Sequence, residues 1–189
     1  TIAFGGGNVA MAADGSYVVV FTDYNVNSGD IVAQRYSAAG VAQGAAIAVN
    51  TTTANAQYEA SVTMAADGRF VVSWSSLTQD GSSYGVYARV YAADGSAVTA
   101  EFRVNTATTG DQSLSKVGMD DAGNFVVAFT DYNSTSGEVY VQRYNAVGAA
   151  QGGNVRVNST LISAQELADI AVHGSSGNFI VIWESVSRD

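Results

Sequence analysis

Met64-Ala65-Ala66-Asp67-Gly68-Arg69-Phe70-Val71-Val72-Ser73-Trp74 reads as the end of one strand, a tight Asp-Gly turn and a second strand rich in large apolar residues. The pattern returns from Met11 to Phe21, from Met119 to Phe129 and from Val172 to Trp183. The aromatic after the turn is Tyr17, Phe70, Phe125 and Phe179, at steps of 53, 55 and 54 residues. A fixed period of this length marks a repeat architecture.

Each repeat divides into four short strands. In the second they are expected at about 59–65, 69–76, 84–92 and 101–106, with a second turn at Ala93-Asp94-Gly95-Ser96. The third strand recurs at Ile31 to Tyr36 and Val139 to Tyr144, and the fourth at Ile47 to Thr51 and Val155 to Ser159. Four antiparallel strands in roughly fifty residues is the arithmetic of a propeller blade. The expected fold is therefore all-β and β-propeller-like, with four-stranded blades and about three and a half repeats. A β-solenoid or a β-sandwich is the alternative. Residues 1–189 form one repeat domain, with repeats at about 8–58, 59–112, 113–166 and a partial 167–189. Phe21, Trp74, Phe129 and Trp183 are expected to fill the space between blades. Ile162 to Ile170 has the pattern for one turn of helix.

A longer order lies over the shorter one. Phe21 to Gln57 aligns without a gap to Phe129 to Gln165, at an offset of 108. Phe-Thr-Asp-Tyr-Asn at 21–25 returns at 129–133, whereas the second repeat has Trp74-Ser75-Ser76. Odd and even repeats differ, as duplication of a two-repeat unit would leave them.

Composition limits the partners. Charged residues are only 13% of the chain and the formal net charge is -9, with Lys116 the only lysine. Nucleic acid and anionic membranes need Lys/Arg footprints, so neither is expected as a partner. No apolar run approaches the ~20 residues of a membrane span, so membrane insertion is not expected either. Without cysteine there is no disulfide framework and no thiolate metal site. The chain opens on Thr1 with a repeat under way by Asn8, and is expected to be a processed product or a piece of something longer. Proline is absent too, and proline and lysine are common guards against edge-to-edge strand pairing. Edges occupied by ring closure or by neighbouring subunits would explain this; biased composition is the alternative.

The string Asp67-Gly68-x-Phe70-Val71-Val72-x-Trp74, followed by Asp94-Gly95-Ser96, Glu101-Phe102-Arg103-Val104-Asn105-Thr106 and Gly110-Asp111-Gln112, resembles a family. It is similar to the tandem β-repeats of long secreted bacterial proteins described as hemolysin-type (RTX-like) or adhesin-like. The resemblance implies export, a bacterial cell-surface or secreted location, and calcium as a stabilising cofactor. The glycine-rich nonapeptide of calcium β-rolls is missing, and Gly5-Gly6-Gly7-Asn8 is only a fragment of it.

The candidate metal site lies in the loop between second and third strands. Asp23, Asn25, Asn27 and Asp30 place oxygen side chains around Gly29, and Asp131, Asn133 and Glu138 do so around Gly137. Calcium takes six to eight oxygen ligands, and alternation turns successive side chains toward one centre. The same residues also suit a plain polar hairpin loop, in which Asp and Asn bond their own backbone. Tyr24, Tyr84 and Tyr132 lie in these loops beside acids and amides, so they are candidate ligand-binding residues for a glycan. They suit equally well a role packing over a blade edge. Arg35, Arg89 and Arg143, like Asn50, Asn105 and Asn158, recur at the repeat period, which argues for structural work.

Catalysis has little to stand on in the sequence. His173 is the only histidine and falls in a turn, and there is no G-x-S-x-G elbow or phosphate loop. Paired carboxylates for glycoside cleavage stay open, but most acids sit in loops that repeat, whereas an active site is normally a unique event. The expectation is therefore no enzyme: a non-catalytic structural or adhesive module of an exported bacterial surface protein or extracellular assembly, working through self-association or other parts of a longer chain. The alternative is a carbohydrate-binding module, followed by a polysaccharide-degrading enzyme.

Overall fold

The computed structural model describes residues 4–25, 28–133, 137–159 and 164–186. Four antiparallel sheets follow one another along the chain. Sheet 1 is β1 (Phe4–Met11), β2 (Tyr17–Asp23), β3 (Asp30–Tyr36) and β4 (Ile47–Ala48). Sheet 2 is β5 (Gln57–Met64), β6 (Phe70–Leu77), β7 (Tyr84–Tyr91) and β8 (Phe102–Arg103). Sheet 3 is β9 (Gln112–Met119), β10 (Phe125–Asp131), β11 (Glu138–Tyr144) and β12 (Val155–Arg156). Sheet 4 has β13 (Ala164–Val172) and β14 (Phe179–Val186). Within each sheet the strands pair in chain order. The all-β expectation holds, and none of the four sheets closes into a barrel. Among the described residues there is no helix, so none is long and apolar enough to cross a membrane. Of Ile162 to Ile170, expected to hold a turn of helix, Ala164 onward belongs to β13, and Ile162 and Ser163 lie outside the described residues.

The turn that opens the pattern is a three-residue loop. Ala65 N–H donates to Arg69 O at 2.8 Å and Gly68 N–H to Ala65 O at 3.0 Å, with Gly68 at φ 87°. This is a type I turn closed by a left-handed residue, a conformation glycine adopts without a Cβ clash. Asp67 Oδ1 accepts Arg69 N–H at 3.2 Å and completes it.

Sheets stack face on face through three apolar clusters. Val18 and Val20 of sheet 1 pack with Val62, Phe70, Val72 and Trp74 of sheet 2. Val71, Val86 and Ala88 of sheet 2 pack with Val117, Phe125, Val127 and Phe129 of sheet 3. Val126, Ala128 and Val139 of sheet 3 pack with Ile170, Val172, Phe179 and Val181 of sheet 4. Alternate residues of a strand point to opposite faces. In β6 and β10 both faces are buried, because each has a sheet on either side. In β2 burial alternates, because one face has no neighbour.

Period-bound polar residues tie the stack together. The Oδ1 atoms of Asn50, Asn105 and Asn158 accept the N–H of Ile31, Val86 and Val139 at 2.7, 2.8 and 2.9 Å, fixing the start of each third strand. Arg35 and Arg89 donate between sheets, to Asp94 O and Val49 O. These are the structural roles that recurrence suggested. Glu101, just before β8, reaches back to sheet 1, where it accepts Thr51 N–H at 2.6 Å and Thr52 Oγ1–H at 2.5 Å.

Candidate functional site

The first strands of successive sheets lie side by side, β1 against β5, β5 against β9 and β9 against β13. Each pairing of a first with a second strand breaks register once, between Gly5 and Asn8, Tyr58 and Ser61, Ser113 and Lys116, and Leu167 and Asp169. The bulge puts Gly6, Glu59 and Leu114 at φ 49°, 58° and 58°. A left-handed φ costs a residue with a side chain about 1–2 kcal/mol. Glu59 is held there by its own carboxylate, whose Oε2 accepts Ser75 Oγ–H at 2.8 Å and Leu114 N–H at 3.0 Å.

Glu59 lines a cavity of about 280 Å³ with Tyr58, Tyr84, Asp111, Ser113, Leu114 and Tyr132. Tyr24 extends the aromatic surface: the rings of Tyr24 and Tyr58, and of Tyr58 and Tyr84, have centroids 6.1 Å apart. The three tyrosines singled out from sequence thus gather at one place, joined by Tyr58. Burial raises the Tyr84 phenol, and Tyr58, Asp111 and Glu59 add to the shift. Burial, reinforced by the charge and hydrogen bonding of Glu166, pushes Tyr132 up to about 12. Both phenols stay protonated and able to donate.

Asp111 stands just before β9, its backbone carbonyl accepting Tyr132 N–H at 2.8 Å. Its Oδ1 is buried with no hydrogen-bond partner among the described residues. Burial raises its pKa most; the Ser113 and Ser83 hydroxyls pull down, while Glu59 and Asp131 push it further up. A carboxyl held toward its protonated form beside a second carboxylate is the electrostatic pattern of an acid–base pair. The lining contains no Arg, Lys or His.

Glu59 was not singled out from sequence, and Asp111 was quoted only within the Gly110-Asp111-Gln112 of the family resemblance, not as a site residue. The signal was there: neither recurs. Gly6 and Leu114 stand where Glu59 does, and Ala56 and Ala164 where Asp111 does.

The proposed metal ligands are dispersed into local work. Asp23 Oδ1 accepts Asn25 N–H at 2.9 Å, and Asp131 Oδ1 accepts Asn133 N–H at 2.8 Å and Gln112 Nε2–H at 3.0 Å. Asp30 Oδ1 accepts Asn50 Nδ2–H at 2.7 Å. Glu138 Oε2 accepts from Tyr140 at 3.1 Å and from Arg156 at 3.2 Å. Asn27 lies outside the described residues. Among the described residues no group of three or more His, Asp or Glu is placed to hold a metal ion. Asp23 does pair across the strands with Asp30, and Asp131 with Glu138, so each loop base sets two carboxyl groups opposite each other.

No protein-family model matches the chain, and no curated protein matches it at a significant level. Among solved structures it is similar to the endo-arabinase from Bacteroides thetaiotaomicron VPI-5482, with a TM-score of 0.54 and 11% identity over 94% of this chain and 68% of that one. It is also similar to polysaccharide lyase Uly1, with a TM-score of 0.50 and 10% identity, over 95% of this chain and 49% of the lyase, so it spans about half the lyase's length. At these identities the likeness is one of fold.

Two expectations need correction. That the chain is a non-catalytic structural or adhesive module, and that it is no enzyme, both rested on reading the repeats as scaffold. This fold is shared with two proteins named as carbohydrate-active enzymes. The physical reason lies in the packing: recurring residues build the stack, while two non-recurring acids, Glu59 at the β5 bulge and Asp111 just before β9, line one cavity on it.

Proposed function

We propose that the four sheets are successive blades of a β-propeller and that the chain cleaves a glycan by hydrolysis, in the tyrosine-lined cavity around Glu59 and Asp111. The observation that carries this reading is the pairing of those two acids, both at non-recurring positions, in one cavity with Tyr58, Tyr84 and Tyr132. The names of the two similar structures, an endo-arabinase and a polysaccharide lyase, support a saccharide polymer as substrate.

The chemistry follows from the charges. Asp111, the acid that burial holds toward its protonated form, gives its proton to the glycosidic oxygen as the bond to the anomeric carbon breaks. Water adds to that carbon, and Glu59 takes the proton the water loses. Tyrosine rings stack against sugar faces and their hydroxyls donate to sugar oxygens. An acid lining without cations repels a polyuronate and favours a neutral glycan, which supports hydrolysis over elimination. A secreted or surface location is part of the proposal, since cell-wall and extracellular polysaccharides are met there. Calcium at the Asp23–Asp30 and Asp131–Glu138 loop bases belongs to it as a stabilising ion only.

The test is release of new reducing ends from a panel of neutral and uronate polysaccharides. Cleavage of a neutral glycan, lost by more than about a hundredfold in Asp111→Asn and Glu59→Gln with fold intact, is expected. Cleavage unaffected by either substitution, or no cleavage with binding retained, would sink the catalytic reading.

A further inference from the structure

Tyr24, Tyr58 and Tyr84 form a row of rings that ends among the acids. Neighbouring centroids are 6.1 Å apart at each step, with planes turned by 44° and 47°. Tyr58 and Tyr84 line the cavity that holds Glu59 and Asp111, and Tyr24 stands outside that lining. Tyr24 is exposed, and Tyr58 and Tyr84 are half-buried. None of the three hydroxyls has a hydrogen-bond partner among the described residues. The row lies where sheets 1 and 2 meet: the Tyr24 ring is close to Gly5 and Gly29 of sheet 1 and to Tyr58 of sheet 2.

Two of the rings belong to sheet 2 alone. Gly5, Ser113 and Glu166 stand where Tyr58 does, and Gly29 and Gly137 where Tyr84 does. Like Glu59 and Asp111, these two are not part of the repeating stack. Tyr24 does recur, as Tyr132, but the residue beside it changes. Tyr24 meets the ring of Tyr58, whereas Tyr132 is hydrogen-bonded to Glu166. The same loop tyrosine thus has an aromatic neighbour between sheets 1 and 2 and an acid neighbour between sheets 3 and 4. Gly5 makes room for the first arrangement. A Cβ there would overlap the Tyr24 ring and come within 2.9 Å of its hydroxyl oxygen.

We infer that this row is a track for consecutive sugars of a linear neutral glycan, with Tyr24 holding the sugar furthest from the acids and Gly5 positioning Tyr24. The inference rests on the tyrosine-lined cavity being the glycan site. The spacing of the rings is close to the rise of one sugar along an extended glycan, so successive rings meet successive sugars. Each ring offers an apolar face for stacking and a free hydroxyl for a sugar oxygen. A branch on the stacked face would lift the glycan off the row, so the track favours unbranched stretches. A short oligosaccharide leaves Tyr24 uncovered and forfeits its contact.

Binding measured apart from cleavage tests this. Asp111→Asn is screened by affinity electrophoresis against linear arabinan, xylan, galactan, mannan and β-glucan. Oligosaccharides of the retained polymer, from the disaccharide upward, are then titrated by calorimetry. Affinity is expected to rise with length until the row is covered. Tyr24→Ala in the same background is expected to weaken the longest oligosaccharides by about tenfold and the disaccharide not at all. Gly5→Ala keeps the ring but displaces it, and is expected to reproduce that length-dependent loss. The double variant is expected to lose no more than either single one. Retention of none of the polymers overturns the track. So does affinity independent of length, or a Tyr24→Ala loss equal for short and long oligosaccharides, even where the wild-type chain cleaves the glycan. A Gly5→Ala variant that binds like its parent takes Gly5 out of the positioning role. Length-dependent binding through Tyr24 without cleavage by the wild-type chain supports the track and removes hydrolysis instead.

Discussion

The carboxylate of Glu59 crosses from β5 to β9 and accepts the backbone N–H of Leu114 at 3.0 Å. Both residues occupy the same repeat position, both at φ 58°, so one left-handed bulge supplies the acid and the next supplies its anchor. Glu59→Gly and Glu59→Ala both remove the carboxylate, but only alanine bears the steric cost of the left-handed backbone. The glycine variant is expected to be more stable than the alanine variant by about 1 kcal/mol, as read by chemical denaturation. Both are expected to lose glycan cleavage. Equal stability would mean that the bulge relaxes when its carboxylate is gone.

Asp111 is expected to behave as a residue kept at a cost to stability. Its folded pKa is raised, so the native state binds its proton more tightly than the unfolded chain does. The sign follows: below the ordinary aspartate value the group is neutral in both states and costs nothing by ionisation. As pH rises through the raised folded value, stability falls. Asp111→Asn removes that charge, and is expected to stabilise the protein at neutral pH by on the order of 1 kcal/mol, the low end for a partly buried unpaired polar group. The gain is expected to shrink in acid. Thermal unfolding at neutral and low pH measures it, and an Asn variant destabilised at neutral pH would contradict the burial argument.

The same shift governs the pH profile of cleavage. A proton donor is lost as pH rises through its pKa, so Asp111 sets the alkaline limb. Glu59 is one of the charges that raise Asp111. Glu59→Gln is therefore expected to move whatever residual alkaline limb remains toward lower pH, besides reducing the rate. A limb that stays in place or moves up would take Asp111 out of the donor role.

The sheet unit was legible because a period of 53 to 55 residues is printed in the turns and apolar strands. Recurrence alone is enough to mark Asn50, Asn105 and Asn158 as structural. The site was half legible. Tyr24, Tyr84 and Tyr132 stand out as aromatics in polar loops, but the sequence assigns them to separate loops. Their convergence depends on how first strands pack side by side. Glu59 looks like one residue of an ordinary strand, since nothing in a strand pattern reveals a bulge. Gln57, Gln112 and Gln165 recur at the repeat period and carry the same signal of structural work. Gln57 accepts the indole N–H of the buried Trp74 at 3.1 Å and Gln165 that of the 39% exposed Trp183 at 2.9 Å, whereas Gln112 of sheet 3, whose second strand carries Phe129, donates to Asp131 at 3.0 Å.

The loop carboxylates offer a separate test. Asp23 faces Asp30 and Asp131 faces Glu138 across their strand pairs, and like charges directly opposite are unfavourable. A calcium ion shared by either pair would bind the folded state alone and raise the midpoint of thermal unfolding by mass action. Millimolar calcium is expected to raise the midpoint relative to chelator, and Asp23→Ala with Asp131→Ala to remove the difference. Identical midpoints in calcium and chelator would leave these residues as hairpin-forming groups.

Glu101 shows how one sheet is latched to the one before it. It accepts from Thr51 and Thr52 of sheet 1 and from Gln79 Nε2 at 2.8 Å. Burial alone would raise its pKa and is the largest influence, but these donors together bring it below the ordinary glutamate value. A depressed folded value stabilises the fold above the unfolded pKa, and that contribution is lost as pH falls through the folded one. Asn154 occupies the equivalent position of sheet 3, where its Oδ1 accepts Thr106 N–H at 2.7 Å without a charge. Glu101→Gln keeps a carbonyl acceptor but discards the charge. It is expected to cost roughly 1–2 kcal/mol at neutral pH and nothing in acid, whereas Asn154→Ala is expected to cost a similar amount at every pH. Unfolding free energies of the two variants measured from neutral pH into acid separate the cases. A Glu101→Gln deficit that persists below the folded pKa would show that the latch works by shape rather than by charge.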